Sequence, residues 1–172
     1  KDFDILSEQD KAEAVALLQR YDQLEKQDVC QKDFISFIKH MWPDFIEGRH
    51  HKIIADKFNR IADGKLKRLI VCLPPRHSKS EFASTFFPAW MMGRKGNLKI
   101  IQTTHTAELA VRFGRKVRNI IDSTEYQHIF PELKLQADNK SAGRWTSNQE
   151  GEYFASGVGG AITGRGADLL II

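Results

Sequence analysis

The spacing of apolar residues in the first third of the chain predicts three helices. The first begins near Ser7, which with Asp10 suits an N-cap. The second is short and stops before Pro43, and the third runs from about His50 to Gly64. The apolar positions of the first helix are Ala14, Leu17, Leu18, Tyr21 and Leu24.

The apolar period changes after Gly64. Residues 68–73 (RLIVCL) are almost wholly apolar and rich in β-branched side chains, which predicts a strand buried on both faces. A proline-containing loop, a helix, a second strand at 98–103 and another helix follow. The first of these helices carries Phe82, Phe86, Phe87 and Trp90, and the second is expected to bury Leu109, Phe113, Val117 and Ile120. Strands and helices alternating at this spacing predict βαβ units, and therefore an α/β fold with a mostly parallel sheet flanked by helices.

The last part of the chain has a less regular pattern. Residues 144–147 and 152–155 are expected to pair as a hairpin around residues 148–151. A glycine-rich stretch, residues 157–168, then leads into the apolar run 169–172, which is typical of a central strand.

Composition indicates one soluble domain. The chain has 172 residues, of which 41% are hydrophobic and 28% charged. Its longest strongly apolar run is far too short to cross a membrane. The net charge of +4 is compatible with a polyanionic partner without requiring one. Cys30 and Cys72 have no metal or redox spacing, so we expect two reduced, mostly buried thiols.

The chemistry suggested by the sequence is concentrated in residues 73–80 (LPPRHSKS), here called the candidate loop. The standard phosphate loop is G-x-x-x-x-G-K-[ST] between a strand and a helix. Lys79 and Ser80 fill its last two places, whereas Leu73 and Ser78 stand where the glycines would be. We expect Ser78 to adopt an ordinary backbone conformation, with the two prolines fixing the start of the loop.

A strand, a tight loop, Lys-Ser and a helix together supply what a bound phosphate needs. Backbone N–H groups point into the loop, and the helix N-terminus favours anions. The alternative is that Lys79 and Ser80 form the exposed first turn of a surface helix, where a lysine is unfavourable. Arg76 and His77 make the region more cationic still. The predicted nucleotide-binding residues are Pro75, Arg76, His77, Ser78, Lys79 and Ser80 of the loop, together with Glu81, which follows it.

Two segments, residues 50–94 and 163–172 (TGRGADLLII), resemble the large terminase subunit of tailed bacteriophages. In that family a loop of the form PPR-x-[GS]-K-S is usual. The resemblance covers roughly residue 34 to the end. It implies a P-loop NTPase of the additional-strand, catalytic-glutamate class, with ATP and Mg²⁺ as cofactors. Such an ATPase docks as a homo-oligomeric ring at the capsid portal and pumps double-stranded DNA into the procapsid, in the cytoplasm of the infected bacterium. The portal protein and the small terminase subunit are its partners, and a nuclease domain normally follows.

The resemblance also implies roles for individual residues. Lys79 would hold the β- and γ-phosphates, Ser80 would coordinate Mg²⁺, and Arg76 would act on the γ-phosphate or sense it. His50 and His51 correspond to a segment near the adenine; the alternative is an exposed helix start.

Arg165 is a candidate arginine finger that completes the site of a neighbouring subunit. The alternative is a loop arginine paired with Glu150, Glu152 or Asp168.

On the same basis, residues 1–64 form a helical extension or lid of the ATPase domain, and residues 65–172 form its core. In the family, LLII is followed at once by two acidic residues, the Mg²⁺ ligand and the catalytic base. We therefore expect a piece of a longer protein that is inactive alone. If it were the whole molecule, it would bind nucleotide weakly and barely hydrolyse it.

The helix after the second strand is strongly basic, with Arg112, Arg115, Lys116 and Arg118. A solvated face is the ordinary explanation, and contact with DNA phosphates is the functional one. Trp42, Trp90 and Trp145 are expected to anchor the core. Two rival functions stay open: a helicase-like ATPase, and a non-catalytic DNA-binding or motor-adaptor module whose phosphate loop is vestigial.

Overall fold

The computed structural model describes residues 7–172, apart from the side chains of residues 8 and 137–140. Its helices are α1 (Glu8–Lys32), α2 (Phe34–Met41), α3 (Arg49–Ala62), a π-helical turn (Glu81–Phe86) that continues into α4 (Phe87–Arg94), α5 (Ala107–Ile121) and α6 (Thr124–Ile129). Its strands are β1 (Lys99–Thr104), β2 (Leu135–Lys140), β3 (Arg144–Ser147), β4 (Glu152–Gly157) and β5 (Leu169–Ile171). The predicted α/β class is confirmed at this level. No described helix is both long and apolar enough to cross a membrane.

The described strands form one five-stranded sheet in the order β2-β3-β4-β1-β5. β1 pairs in parallel with β4 and with β5, whereas β3 pairs antiparallel with β4 and β2. The predicted hairpin and the parallel centre are therefore confirmed. β5 was expected to be central, but it pairs only with β1 among the described strands, and Leu170 is 56% exposed.

The predicted strand at 68–73 is absent from this sheet. Leu69, Val71 and Leu73 pack against the core, whereas Ile70 is 89% exposed and Cys72 is also exposed. No backbone–backbone hydrogen bond involves residues 67–77 within the described part of the chain. Alternate side chains of the segment are thus half-buried, and the prediction of two mostly buried thiols is wrong for Cys72. Cys30 is buried, and burial raises the pKa of its thiol.

The first helix begins as predicted, because the Ser7 hydroxyl accepts the Asp10 backbone N–H at 3.2 Å. Only its second half packs closely on the rest of the fold: the Gln27 and Gln31 amides both donate to the Ile129 carbonyl. The predicted apolar stripe is largely solvent-exposed; its members are Leu17, Leu18, Tyr21 and Leu24. Helical periodicity therefore predicted the helix correctly but did not predict which face is buried.

An aromatic cluster around Phe34 forms the centre of the core. The Phe34 ring makes edge contacts with Phe58, Phe82, Phe87 and Trp90 at centroid distances of 5.2, 5.5, 5.8 and 5.4 Å. The Trp90 indole N–H also donates to the Cys30 carbonyl at 2.9 Å. α2, α3 and the helical residues after the candidate loop therefore share one core, which fixes the loop relative to α3.

α5 packs on the sheet through small residues. A Cβ at Gly114 would lie 2.5 Å from the Ala142 carbonyl oxygen, and the Trp145 indole N–H donates to the Gly114 carbonyl at 3.2 Å. Val117 is buried as predicted, but Leu109 is 37% exposed. The buried residues are instead Ala110, Gly114, Val117 and Ile121, and at Gly114 the helix lies too close to the Ala142 backbone for a side chain.

The helix after the candidate loop begins with a wide turn. The Phe87 N–H donates to the Phe82 carbonyl, five residues earlier, where an α-helix would use a four-residue spacing. Phe82, Phe86 and Phe87 are all buried in this arrangement. The turn therefore lies between the candidate loop and the aromatic core.

Candidate functional site

The candidate loop has an unusual backbone. Arg76 has φ of 64° and Ser78 has φ of 58°, so two non-glycine residues occupy the left-handed region. The prediction of an ordinary conformation for Ser78 is therefore wrong: the loop keeps the glycine-like geometry without the glycine. Left-handed conformations of such residues are strained and cluster at functional sites.

The sign of φ alternates along the loop, since His77 and Lys79 have negative φ. Alternation of this kind turns successive N–H groups towards one concave side, which is the geometry of anion-binding nests. Residues 79 and 80 are already helical, and the first helical donor is Phe82, whose N–H donates to the Ser78 carbonyl at 2.9 Å. The N–H groups of residues 78–81 find no acceptor among the described residues. They are therefore free to donate to an anion.

The charged and hydroxyl side chains of this loop are accessible. Arg76, His77, Lys79 and Ser80 are all exposed, and Ser78 is half-buried. The His77 Nδ1 atom donates to the Pro75 carbonyl at 2.8 Å, which ties its ring to the start of the loop. Arg76 and Lys79, one on each side of Ser78 in the chain, are thus exposed cationic side chains close to the free N–H groups.

The N-terminus of α3 lies against this loop. The ring centroids of His50 and His77 are 5.6 Å apart, and those of His50 and His51 are 3.8 Å apart. His51 is 6% exposed and stacks on Phe82. The predicted site residues of α3 and of the loop are therefore neighbours.

His51 carries a buried donor. Its Nδ1 accepts the Gly48 N–H at 2.9 Å, so in the neutral ring the hydrogen resides on Nε2. That Nε2 is buried and has no partner among the described residues. Burial lowers the pKa of His51 below its ordinary value, and the neighbouring His50 and His77 lower it further, while Glu47 raises it. Buried N–H donors usually have an acceptor, so this donor is available to an ordered water or to a bound molecule.

The requirements of Mg²⁺ can be compared with the residues present. The ion is usually held by one or two protein groups together with substrate phosphates. The exposed Ser80 hydroxyl, in the first helical turn, fits the first of these roles. No group of three or more His, Cys, Asp or Glu among the described residues could hold a metal ion by itself.

Glu81 and Lys116 form an ion pair between this helix and α5. The Lys116 Nζ lies 2.5 Å from the Glu81 carboxylate, and both side chains are half-buried. Arg112 and Arg115 are exposed on the same helix, with no ion pair in the described part of the chain. The predicted DNA-contact residues therefore have different surroundings: one faces the candidate loop's helix and two face solvent.

Arg165 lies elsewhere, at the amino ends of the parallel strands. Its guanidinium donates to Glu152, the first residue of β4, at 2.9 Å and covers the Phe154 ring at 4.1 Å. The following turn is tied to the start of β1, because the Asp168 N–H donates to the Lys99 carbonyl. These contacts match the loop-arginine alternative. A role on a neighbouring subunit would require Arg165 to leave Glu152.

Comparisons with protein-family models, with curated proteins and with solved structures find no match to this chain. The terminase resemblance therefore stays a prediction, and the loop geometry carries the functional argument.

Sequence reasoning missed two features of the site. The buried His51 donor could not be foreseen, since the burial of a histidine depends on how α3 packs. The Glu81–Lys116 contact has a partial signal, because Ser78-Lys79-Ser80-Glu81 matches a helix-capping pattern; its diversion to Lys116 needed the position of α5.

Proposed function

We propose that residues 75–81 bind the terminal phosphates of ATP, and that the chain is the nucleotide-binding part of a terminase-type DNA-packaging ATPase. The observation that carries the proposal is the backbone of the loop. Two strained left-handed residues precede a helix whose first N–H groups are unused. Backbone strain of this kind persists only where the surrounding structure maintains it. In this loop the strained conformation leaves several N–H groups free on one side, and binding a phosphate would use them.

The side chains around these N–H groups support the same substrate. The Lys79 ammonium supplies a mobile positive charge at the helix start, within reach of β- and γ-phosphate oxygens. The Arg76 guanidinium, on the other side of Ser78, suits bidentate contact with the γ-phosphate. Ser80 would hold Mg²⁺, which when bound neutralises charge on the phosphates.

The histidines of α3 support a nucleotide rather than a bare phosphate. The His51 Nε2–H is a buried donor that lacks an acceptor in the described chain, and His50 joins it to the loop through His77. A ribose or purine acceptor beside α3 would satisfy this donor.

The proposal is tested by titrating the chain with a fluorescent ATP analogue and Mg²⁺. We expect Lys79→Ala to weaken binding by about tenfold or more, since a hydrogen bond to a charged group is worth about 1.5–3 kcal/mol. Ser80→Ala should remove the dependence on Mg²⁺. Lys95→Ala is the matched control, because it removes an exposed lysine at the far end of the same helix.

Two results would overturn the proposal. One is equal affinity of wild type and Lys79→Ala. The other is an equal loss in Lys95→Ala, which would mean non-specific attraction to a basic protein. Absence of binding by every variant would support the vestigial-loop adaptor.

The DNA part of the proposal rests on the exposed Arg112 and Arg115. Each phosphate contact contributes about 0.9 to the slope of log affinity against log salt for duplex DNA. We expect Arg112→Ala to reduce the magnitude of that slope by about 0.9, the contribution of one phosphate contact. Tighter binding of single strands than of duplex would favour the helicase-like alternative.

A further inference from the structure

The residues that start the helix match a known capping pattern. Ser78-Lys79-Ser80-Glu81 has the form S-x-x-E, and the Ser78 carbonyl accepts the first helical N–H, from Phe82. In a capping box the glutamate three residues on turns back to accept the backbone N–H of the cap residue. Here that N–H belongs to Ser78, inside the candidate loop. A closed box would put a carboxylate on a donor that a phosphate would use.

The box is open in the structure. The Glu81 carboxylate instead accepts from Lys116 at 2.5 Å, and the N–H groups of residues 78–81 have no acceptor in the described chain. The Lys116 backbone is held in place because Gly114, two residues earlier, packs directly on Ala142 and Trp145. Lys116 is therefore presented to Glu81 by a helix anchored on the sheet.

We propose that Lys116 is a positioning residue, which draws Glu81 away from the loop and so keeps the loop N–H groups open for phosphate. The inference rests on the proposed nucleotide site and adds that the Glu81 carboxylate can compete with the phosphate for the N–H groups of that site. Without Lys116, the Glu81 carboxylate is free to turn back towards the unused N–H groups at the helix start, where it competes with the phosphate for these donors and repels it. In this proposal Lys116 does not contact DNA, and the exposed Arg112 and Arg115 remain the candidate DNA-contact residues.

A double-mutant cycle tests this with the same fluorescent ATP analogue. Lys116→Met keeps the apolar stem and is expected to weaken binding by about fivefold, the size of one partly exposed ion pair. Glu81→Ala combined with Lys116→Met should bind more tightly than Lys116→Met alone, by about the same fivefold, because the competing carboxylate is gone. In the Glu81→Ala background, Lys116→Met should have no further effect on nucleotide affinity. Alanine is needed at position 81 because glutamine also closes the box.

Arg115→Met is the matched control, since it removes one charge from the same helix without contacting Glu81. It should leave nucleotide affinity unchanged and reduce the salt slope for duplex DNA. Lys116→Met should weaken nucleotide binding and leave the salt slope for duplex DNA unchanged. If Lys116 only stabilised the fold, Lys116→Met would lower the unfolding midpoint, and adding Glu81→Ala would not restore nucleotide binding.

The outcomes separate this inference from the proposed function. If Lys79→Ala loses binding but Lys116→Met does not, or if the double variant stays weak, the positioning role is wrong and the nucleotide site stands. If wild type and Lys79→Ala bind equally poorly, both are wrong.

Discussion

Replacing Ser78 by glycine is the most direct test of the loop backbone. Ser78 has φ of 58°, a conformation that a glycine adopts freely and a side chain with Cβ does not. Its side chain donates no hydrogen bond among the described contacts, so the substitution changes little besides the backbone preference. Ser78→Gly should therefore stabilise the protein, although glycine usually destabilises.

Two opposing quantities set the size of the effect. A left-handed conformation disfavours a non-glycine residue by about 1–2 kcal/mol. Glycine makes the unfolded chain more flexible, which opposes folding by about 0.4–1 kcal/mol. The net expectation is a gain of about 0.5–1 kcal/mol in the free energy of unfolding. At roughly 2–4 °C per kcal/mol for a chain of this size, Tm should rise by about 1–4 °C.

Urea unfolding followed by circular dichroism measures the change. Ser84→Gly is the control, because Ser84 lies within the π-helical turn where glycine should destabilise by a few tenths of a kcal/mol or more. Ser78→Ala should be close to wild type, since alanine has the same backbone restriction. A loss of stability in Ser78→Gly as large as in Ser84→Gly would mean that the loop is not left-handed at this residue.

Three further predictions concern the core, the histidines and Arg165. Phe34→Ala should lower the free energy of unfolding by about 3–5 kcal/mol in urea, because the ring is fully buried and makes edge contacts with four aromatic rings; a loss below about 1 kcal/mol would contradict the packing. The pKa of His51 is lowered in the folded chain, so the unfolded chain binds the proton first and stability should fall as pH drops below about 6.5. His51→Asn should flatten this dependence and the exposed His105→Asn should not, and equal slopes in both would refute it. Arg165→Ala should lower stability by about 1 kcal/mol in low salt, through the lost Glu152 pair and Phe154 contact; no change in the urea midpoint would show that the contacts are not stabilising.

Local patterns predicted the helices well because their signals lie within a few residues. Ser7 and Asp33 cap α1 and α2, and Gly64, with φ of 75°, follows α3. The strand predicted at 68–73 failed for a different reason. Its residues are apolar on both faces, and only the neighbouring backbone determines whether such a run joins a sheet. α6 and β2 were missed because they are short and their apolar spacing is weak.

The site divides in the same way. The lysine, the hydroxyl and the cationic surroundings of the loop were readable from the order of residues. The left-handed Ser78 was not, since the sequence offers serine where geometry normally calls for glycine. The pairing of Arg165 with Glu152 was foreseen only as one of three choices, because the partner depends on strand register.

The wide turn at residues 81–86 has a consequence for the direction of Lys79. A π-helical turn contains one residue more than the α-helical turn that would replace it. Removing that residue would rotate everything on its N-terminal side by about 100° and shift it by about 1.5 Å relative to α4. α4 is anchored in the aromatic core. The direction in which Lys79 leaves the helix axis therefore depends on whether the turn between them has π-helical or α-helical hydrogen bonds. A one-residue deletion there would leave every side chain of the loop intact and aim its lysine elsewhere.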